Sequence, residues 1–268
     1  VGVVSSHDGA AHLNSQHPTY GLDAFSTELV LAAKAGRSVS VVIPARNEAR
    51  TIAAVVTAIA EPHLAANGGS GLVDEIVVVD DASTDDTGAF AEAAGARVLT
   101  LNGSGGKGQA MAAGLEATSG DFVVYFDGDV ENTHERYVPS LLGPLLVSQA
   151  VRLVKGYYER PLGGSVTGGG RVTELVARPL LDLLFPELSF LLQPLAGETA
   201  AARSTFERIG FDTAYKVEMG LLLDVANAFG ASSIAQIDLG TRVHRNRPID
   251  ELRPMAKDVM EAAMSRSR

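Results

Sequence analysis

The chain has 268 residues, 46% of them hydrophobic and 20% charged, which is enough apolar material for a sizeable core and too much for a disordered segment. A formal net charge of −10 argues against a broad basic face for nucleic acid or anionic lipid, so an anionic ligand must be met by a local basic cluster. There is no cysteine, which excludes disulfides and thiolate metal sites and fits a reducing cytosol.

Residues 1–25 carry His, Asn, Gly and Pro without periodicity and read as an N-terminal arm. Val1–Asp8 lacks the basic start and apolar run of a signal peptide, and without an initiating Met the chain is expected to be truncated. Ser26 is a good N-cap for a helix through Lys34, closed by Gly36. A strand is predicted over 38–43, stopped by Pro44, then a helix over 48–60 that ends near Pro62. Ile76–Val79 is a buried apolar run ending in Asp80 and Asp81; Ser83 and Thr84 can cap the next helix, which Gly95 closes. A short strand over 97–101, a glycine-rich loop over 103–108, a helix over 107–118 and a strand over 122–126 follow. After residue 150 the pattern loosens to a strand at 153–158, a helix at 171–184 broken near Pro179, a helix at 217–229, a strand at 234–239 and a terminal helix at 254–265. No apolar run approaches the ~18–20 residues that span a bilayer, so no membrane partner and a cytoplasmic location are expected.

Strands alternating with helices predict βαβ units and a mostly parallel α/β sheet, with ligands outside the carboxyl ends of the strands. The polar residues at those ends are Pro44-Ala45-Arg46-Asn47-Glu48, Asp80-Asp81 and Asp127-Gly128-Asp129. Two carboxylates one residue apart at a strand end can converge on a hard divalent cation and its diphosphate; the alternative is a polar turn. Glu48 and Ser83 also suit helix capping, which is compatible with ligand binding. The loop Gly103–Gly108 fails the P-loop pattern because Gly108 follows Lys107, leaving a lysine that can reach a diphosphate near a helix N-terminus. Gly168-Gly169-Gly170 feeding Arg171 and Thr173 offers an anion nest with a charged fork, or else a flexible linker. Arg242-Val243-His244-Arg245-Asn246-Arg247 is the local basic cluster sought in this acidic chain; a solvated surface imidazole is the alternative for His244.

The segments at 41–48, 78–85 and 122–129 resemble, in order, the nucleotide-binding half of GT-A glycosyltransferases. With Gly168–Pro179, Gln193–Glu198, Val217–Gly220 and His244–Pro248, residues 26–265 resemble glucosyl-3-phosphoglycerate synthases and the related actinobacterial mannosyl-3-phosphoglycerate synthases. The resemblance implies a GT-A, Rossmann-like mostly parallel sheet, with a nucleotide-sugar half over 26–150 and an acceptor-binding and dimerisation half over 151–268. It implies a retaining, dimeric enzyme that uses Mg²⁺, with Mn²⁺ as an alternative, to move glucose or mannose from UDP-glucose or GDP-mannose to the 2-hydroxyl of 3-phosphoglycerate. By position, Asp129 and His244 would bind metal; Pro44, Ala45, Arg46, Glu48, Asp81, Lys107, Asp127, Gly128 and Leu195 would surround the nucleotide sugar. Gly170, Arg171, Thr173, Arg242 and Asn246 would hold the acceptor, and Asp129, Lys107 and Glu218 would serve catalysis. Ala196 stands where the mycobacterial glucosyl enzymes would carry Ser, Arg46 where they carry Leu, and the loop between Pro161 and Gly168 looks short; these departures bear on sugar and base preference. The competing readings are an inverting GT-A transferase acting on a polyprenyl phosphate or glycan, disfavoured by the lack of Trp, and a non-catalytic sugar-nucleotide-binding protein.

Overall fold

The computed structural model describes residues 17–159, 161–162, 165–168, 170–243 and 249–267. In chain order the elements are β1 (Thr19–Tyr20), α1 (Thr27–Lys34), β2 (Val39–Ala45), α2 (Ile52–His63), β3 (Glu75–Asp80), α3 (Thr87–Ala93), β4 (Arg97–Thr100), α4 (Gly106–Ala117), β5 (Phe122–Tyr125) and α5 (Tyr137–Val147). Then come β6 (Leu153–Glu159), β7 (Pro161–Leu162), β8 (Ser165–Gly168), α6 (Arg178–Leu184), β9 (Thr199–Ala202), α7 (Arg203–Ile209), α8 (Lys216–Phe229), β10 (Ile234–Thr241) and α9 (Ile249–Arg266).

Eight strands form one sheet in the order β1-β10-β6-β9-β5-β2-β3-β4. Every neighbouring pair is parallel except those of β9, which runs antiparallel to both β5 and β6. The apolar runs of β2 and β3 are continuous because both faces of the sheet are covered. Val41, Ile43 and Val78 face one core with Val30, Ile52, Val56 and Leu142 of α1, α2 and α5. Val42, Val77 and Val79 face the other with Met111, Phe206, Leu222 and Val259 of α4, α7, α8 and α9. Each such fully buried side chain stabilises the fold by about 1.5–3 kcal/mol relative to exposure.

The βαβ alternation and mostly parallel sheet expected from the sequence are present, with informative differences. Strand β2 continues through Pro44 to Ala45. Its even-numbered residues face β5, where Val42 O accepts from Phe126 N at 3.1 Å. Pairing with β5 ends at Val42–Tyr125, so the N–H that Pro44 lacks would meet no strand, while pairing with β3 runs on to Ala45–Asp80. Ser83 and Thr84 do not cap α3; they hold the loop after β2, as Asn47 N donates to Ser83 Oγ (3.0 Å) and Thr84 N to Asn47 Oδ1 (2.8 Å). Ahead of Pro179 the helix widens into a π turn over Thr173–Ala177, where Arg178 N reaches back to Thr173 O. Pro179 supplies no N–H and would crowd a regular turn, and a π turn absorbs that conflict. The C-terminal helix begins at Ile249, five residues before the predicted start. Within the supposed arm, Thr19 and Tyr20 add a strand beside β10.

Candidate active site

The parallel strands β2, β3, β5 and β10 present their carboxyl ends on one edge of the sheet. Reversed β9 brings its beginning to that same edge, so Leu195–Glu198 join residues that follow the other strands. There Pro44, Ala45, Arg46, Glu48, Asp81, Lys107, Asp127, Gly128, Asp129, Gly170, Arg171, Thr173, Leu195, Glu218 and Arg242 line one cleft of about 290 Å³. His244 and Asn246, the other two expected site residues, lie outside the described residues.

On the nucleotide side, two loops are stapled together. Asn47 and Ala82 both take left-handed backbone angles, φ 57° and 56°, and Thr87 Oγ1 accepts from Glu48 N at 2.8 Å. Asp81 receives Gly105 N (2.8 Å), Gly106 N (3.1 Å) and Ser104 Oγ (3.0 Å), which fixes the glycine-rich loop at the start of α4. Arg46 donates to Ser104 Oγ and so braces this loop as well.

The centre of the cleft is an ionic network. Lys107, in the first turn of α4, donates to Asp127 Oδ1 at 2.6 Å and to Glu218 Oε1 in the first turn of α8. Burial works against its ammonium, but the two carboxylates outweigh it and hold its pKa well above that of an ordinary lysine. Burial would likewise raise Asp127, yet Lys107 and Arg242 together keep its carboxyl well below the usual range. Arg242, 4% exposed, sits just past β10. Its Nη2 donates to Asp127 Oδ2 (2.9 Å) and Asp129 Oδ1 (2.8 Å). Its Nη1 donates to both oxygens of Glu198 at 2.9 and 3.0 Å and to the Tyr158 hydroxyl. Burial pushes the Glu198 carboxyl above the usual carboxylate range, with the charge of Arg242 opposing the rise. Lys155, 2% exposed, donates to Ala196 O. Burial pulls its pKa down to about 8 despite the nearby charge of Glu218.

Among the described residues, Asp127, Asp129, Glu198 and Glu218 thus face Lys107, Arg242 and Lys155. Asp127 and Asp129 already share one cationic nitrogen, and each is about one-fifth exposed to the cleft. Among the described residues no three His, Asp or Glu side chains form a complete metal site. The two carboxylates fit a hard divalent cation that takes its remaining ligands from diphosphate and water, as Mg²⁺ commonly does. Gly197 is required here by space: a Cβ on it would lie 2.0 Å from Asp127 Oδ1.

Several residues the sequence did not single out complete the cleft. Ala110, Tyr215, Leu252 and Met255 line it, the last two from α9. Glu198, Tyr158 and Lys155 support it from behind. For Glu198 a signal existed, since an acidic residue within Leu195-Ala-Gly-Glu-Thr-Ala-Ala-Ala needs a buried partner.

A glycosyl transferase family 2 model matches residues 40–160. Over 249 residues the chain is 49% identical to the glucosyl-3-phosphoglycerate synthase of Mycobacterium tuberculosis, an alignment covering 88% of this chain and 75% of that protein. The chain belongs to the glucosyl-3-phosphoglycerate synthase family. It is thus a glycosyltransferase with the GT-A fold the sequence pointed to. A crystal structure of the M. tuberculosis enzyme with Mn²⁺, UDP-glucose and phosphoglyceric acid superimposes with a TM-score of 0.83 at 47% identity, covering 91% of this chain and 84% of that one. Another, with Mg²⁺ and UDP, gives a TM-score of 0.84 at 45% identity, covering 93% and 86%. Among the described residues no helix is long and apolar enough to cross a membrane.

Proposed function

We propose that the protein transfers glucose from UDP-glucose to the 2-hydroxyl of 3-phosphoglycerate, with retention at the anomeric carbon and with Mg²⁺ or Mn²⁺. The observation that carries this reading is the meeting, in one cleft, of an acidic pair suited to a metal–diphosphate and a basic helix start suited to an anionic acceptor. The half over 26–150 takes the nucleotide and the half over 151–268 the acceptor. UDP-glucose is favoured over GDP-mannose by the ligands of the M. tuberculosis complexes. A homodimer, expected from the family resemblance, is tested by sedimentation.

Asp129 and His244 would hold the cation, with Asp127 beside them; bound there, it would neutralise charge developing on the leaving UDP. Asp81 keeps the loop Ser104–Gly106 in place beneath the nucleotide. Lys107, kept protonated by Asp127 and Glu218, presents a fixed positive charge to the diphosphate and needs no reorganisation during reaction. Glu218 orients Lys107 and borders the sugar with Leu195, whose position the Lys155–Ala196 bond fixes. Gly170, Arg171 and Thr173 stand at a helix start, where backbone N–H groups and the guanidinium hold the acceptor's phosphate and carboxylate. Positioning of the 2-hydroxyl against the anomeric carbon then supplies much of the rate.

The test is incubation of purified protein with Mg²⁺, 3-phosphoglycerate and, separately, UDP-glucose and GDP-mannose, with products identified by mass. Glucosyl-3-phosphoglycerate from UDP-glucose, lost on chelation and restored by Mg²⁺, is the expected outcome. Metal-dependent UDP release without a glycosylated phosphoglycerate would discard the acceptor, and preference for GDP-mannose would discard the donor.

A further inference from the structure

Glu198 does not itself line the cleft: it is 2% exposed and accepts with both oxygens from Nη1 of Arg242, which does. An acid buried this deeply is costly unless it is paired and hydrogen-bonded, and its partner here is Arg242. Among the described residues Arg242 is the cation that bridges Asp127 and Asp129, and its guanidinium is planar and rigid. With Nη1 fixed on Glu198 and the ring of Tyr158 4.8 Å from its central carbon, Arg242 can offer the aspartates only Nη2. Asp129 then keeps its second oxygen clear of the arginine, while the second oxygen of Asp127 is held by Lys107. Freed from Glu198, the same guanidinium could turn its paired nitrogens onto the aspartates as a fork, the geometry carboxylates bind most strongly. It would then compete for the oxygens a metal ion needs.

We propose that Glu198 is a positioning residue that restrains Arg242 and thereby keeps Asp129, beside Asp127, open to a divalent cation. This rests on the metal-dependent reading above, but not on the identity of sugar or acceptor. The test is Mn²⁺ binding in the presence of UDP, read from the free-ion EPR signal, so no turnover is required. Glu198→Gln removes the charge and replaces one of the two acceptor oxygens by an amide NH₂, and is expected to weaken Mn²⁺ binding about tenfold, while the same substitution in an Arg242→Met background changes it by less than about twofold. The contrast separates restraint of Arg242 from the direct field of a nearby charge, which would weaken binding equally in both backgrounds. Glu198→Asp, which keeps the charge but draws it back, is expected to lose Mn²⁺ affinity in the same direction and serves if Glu198→Gln does not fold. Unchanged affinity in both single variants, or an equal loss in the Arg242→Met background, overturns the proposal. Absence of Mn²⁺ binding by the wild-type protein would overturn it together with the metal reading. Normal Mn²⁺ binding without glucosyl transfer would touch the substrate assignment alone.

Discussion

Gly197→Ala is a one-methyl change whose effect follows from distances. The new Cβ would lie 2.0 Å from Asp127 Oδ1 and 2.3 Å from both Cγ and Oδ2, well inside the 3.0 Å that real Cβ atoms keep. Asp127 cannot step aside without breaking contacts at 2.6 Å to Lys107 and 2.9 Å to Arg242. Nor can the main chain retreat freely, because Ala196 O is tied to Lys155 and Glu198 to Arg242. Relief takes a displacement of about 1 Å at the carboxylate beside the metal position, and misplacement on that scale costs about 10²-fold in rate, or ~2.7 kcal/mol. The assay is UDP release at saturating UDP-glucose with 3-phosphoglycerate varied up to saturation, and thermal unfolding alongside to register any global loss. The expected result is kcat down about 100-fold with KM for 3-phosphoglycerate nearly unchanged, since Arg171 is not disturbed. A folded Gly197→Ala variant whose kcat stayed within about fivefold of wild type, less than ~1 kcal/mol, would refute the claim that the position of Asp127 is held this tightly.

Arg171→Ala removes a charged fork from the acceptor side, worth about 1.5–3 kcal/mol, so KM for 3-phosphoglycerate should rise roughly 10- to 100-fold; a normal KM would remove Arg171 from acceptor binding. Asp129→Ala should lower kcat by at least about 10²–10³-fold, and Mn²⁺ titration should show weakened metal binding; metal-saturated activity like wild type's would exclude it as a ligand. Asp127 is held low in the fold, so its stabilising contribution is fully present above the ordinary carboxylate value and is lost as pH falls toward the depressed one. Between about pH 4 and pH 2 the wild type should therefore lose stability more steeply than Asp127→Asn, and parallel slopes in urea titrations across that range would contradict the ionic tie to Lys107 and Arg242.

The first half of the fold was legible because β2, β3 and β5 are runs of Val, Ile and Phe bounded by glycines, prolines and acids, so that length and composition marked strands. Strand β9 was not. Thr199-Ala-Ala-Ala has the composition of a helix, and it is a strand only because small side chains fit between β5 and β6 at the middle of the sheet. Helix α5 was hidden in the same way: Pro139, Gly143 and Pro144 argue against a helix, and burial of residues from Tyr137 to Leu145 overrides them. At the site, residues next to strand ends announced themselves, and all but Asn47 and Asp80 line the cleft. The tie between Glu198 and Arg242 did not, because nothing in a linear pattern pairs residues from two elements that meet only when the sheet closes.

The reversed strand also sets an order of events during synthesis. One edge of β5 can be covered only by β9, and roughly 75 residues separate Tyr125 from Thr199. At about 5–20 residues per second, the ribosome leaves that apolar edge open for roughly 4–15 s, long compared with the collapse of the βαβ units already made. An unpaired inner edge is a template for pairing with another chain. The stretch from β5 to β9 is therefore where a nascent copy of this enzyme most needs protection from its neighbours, and where slow translation would be most harmful.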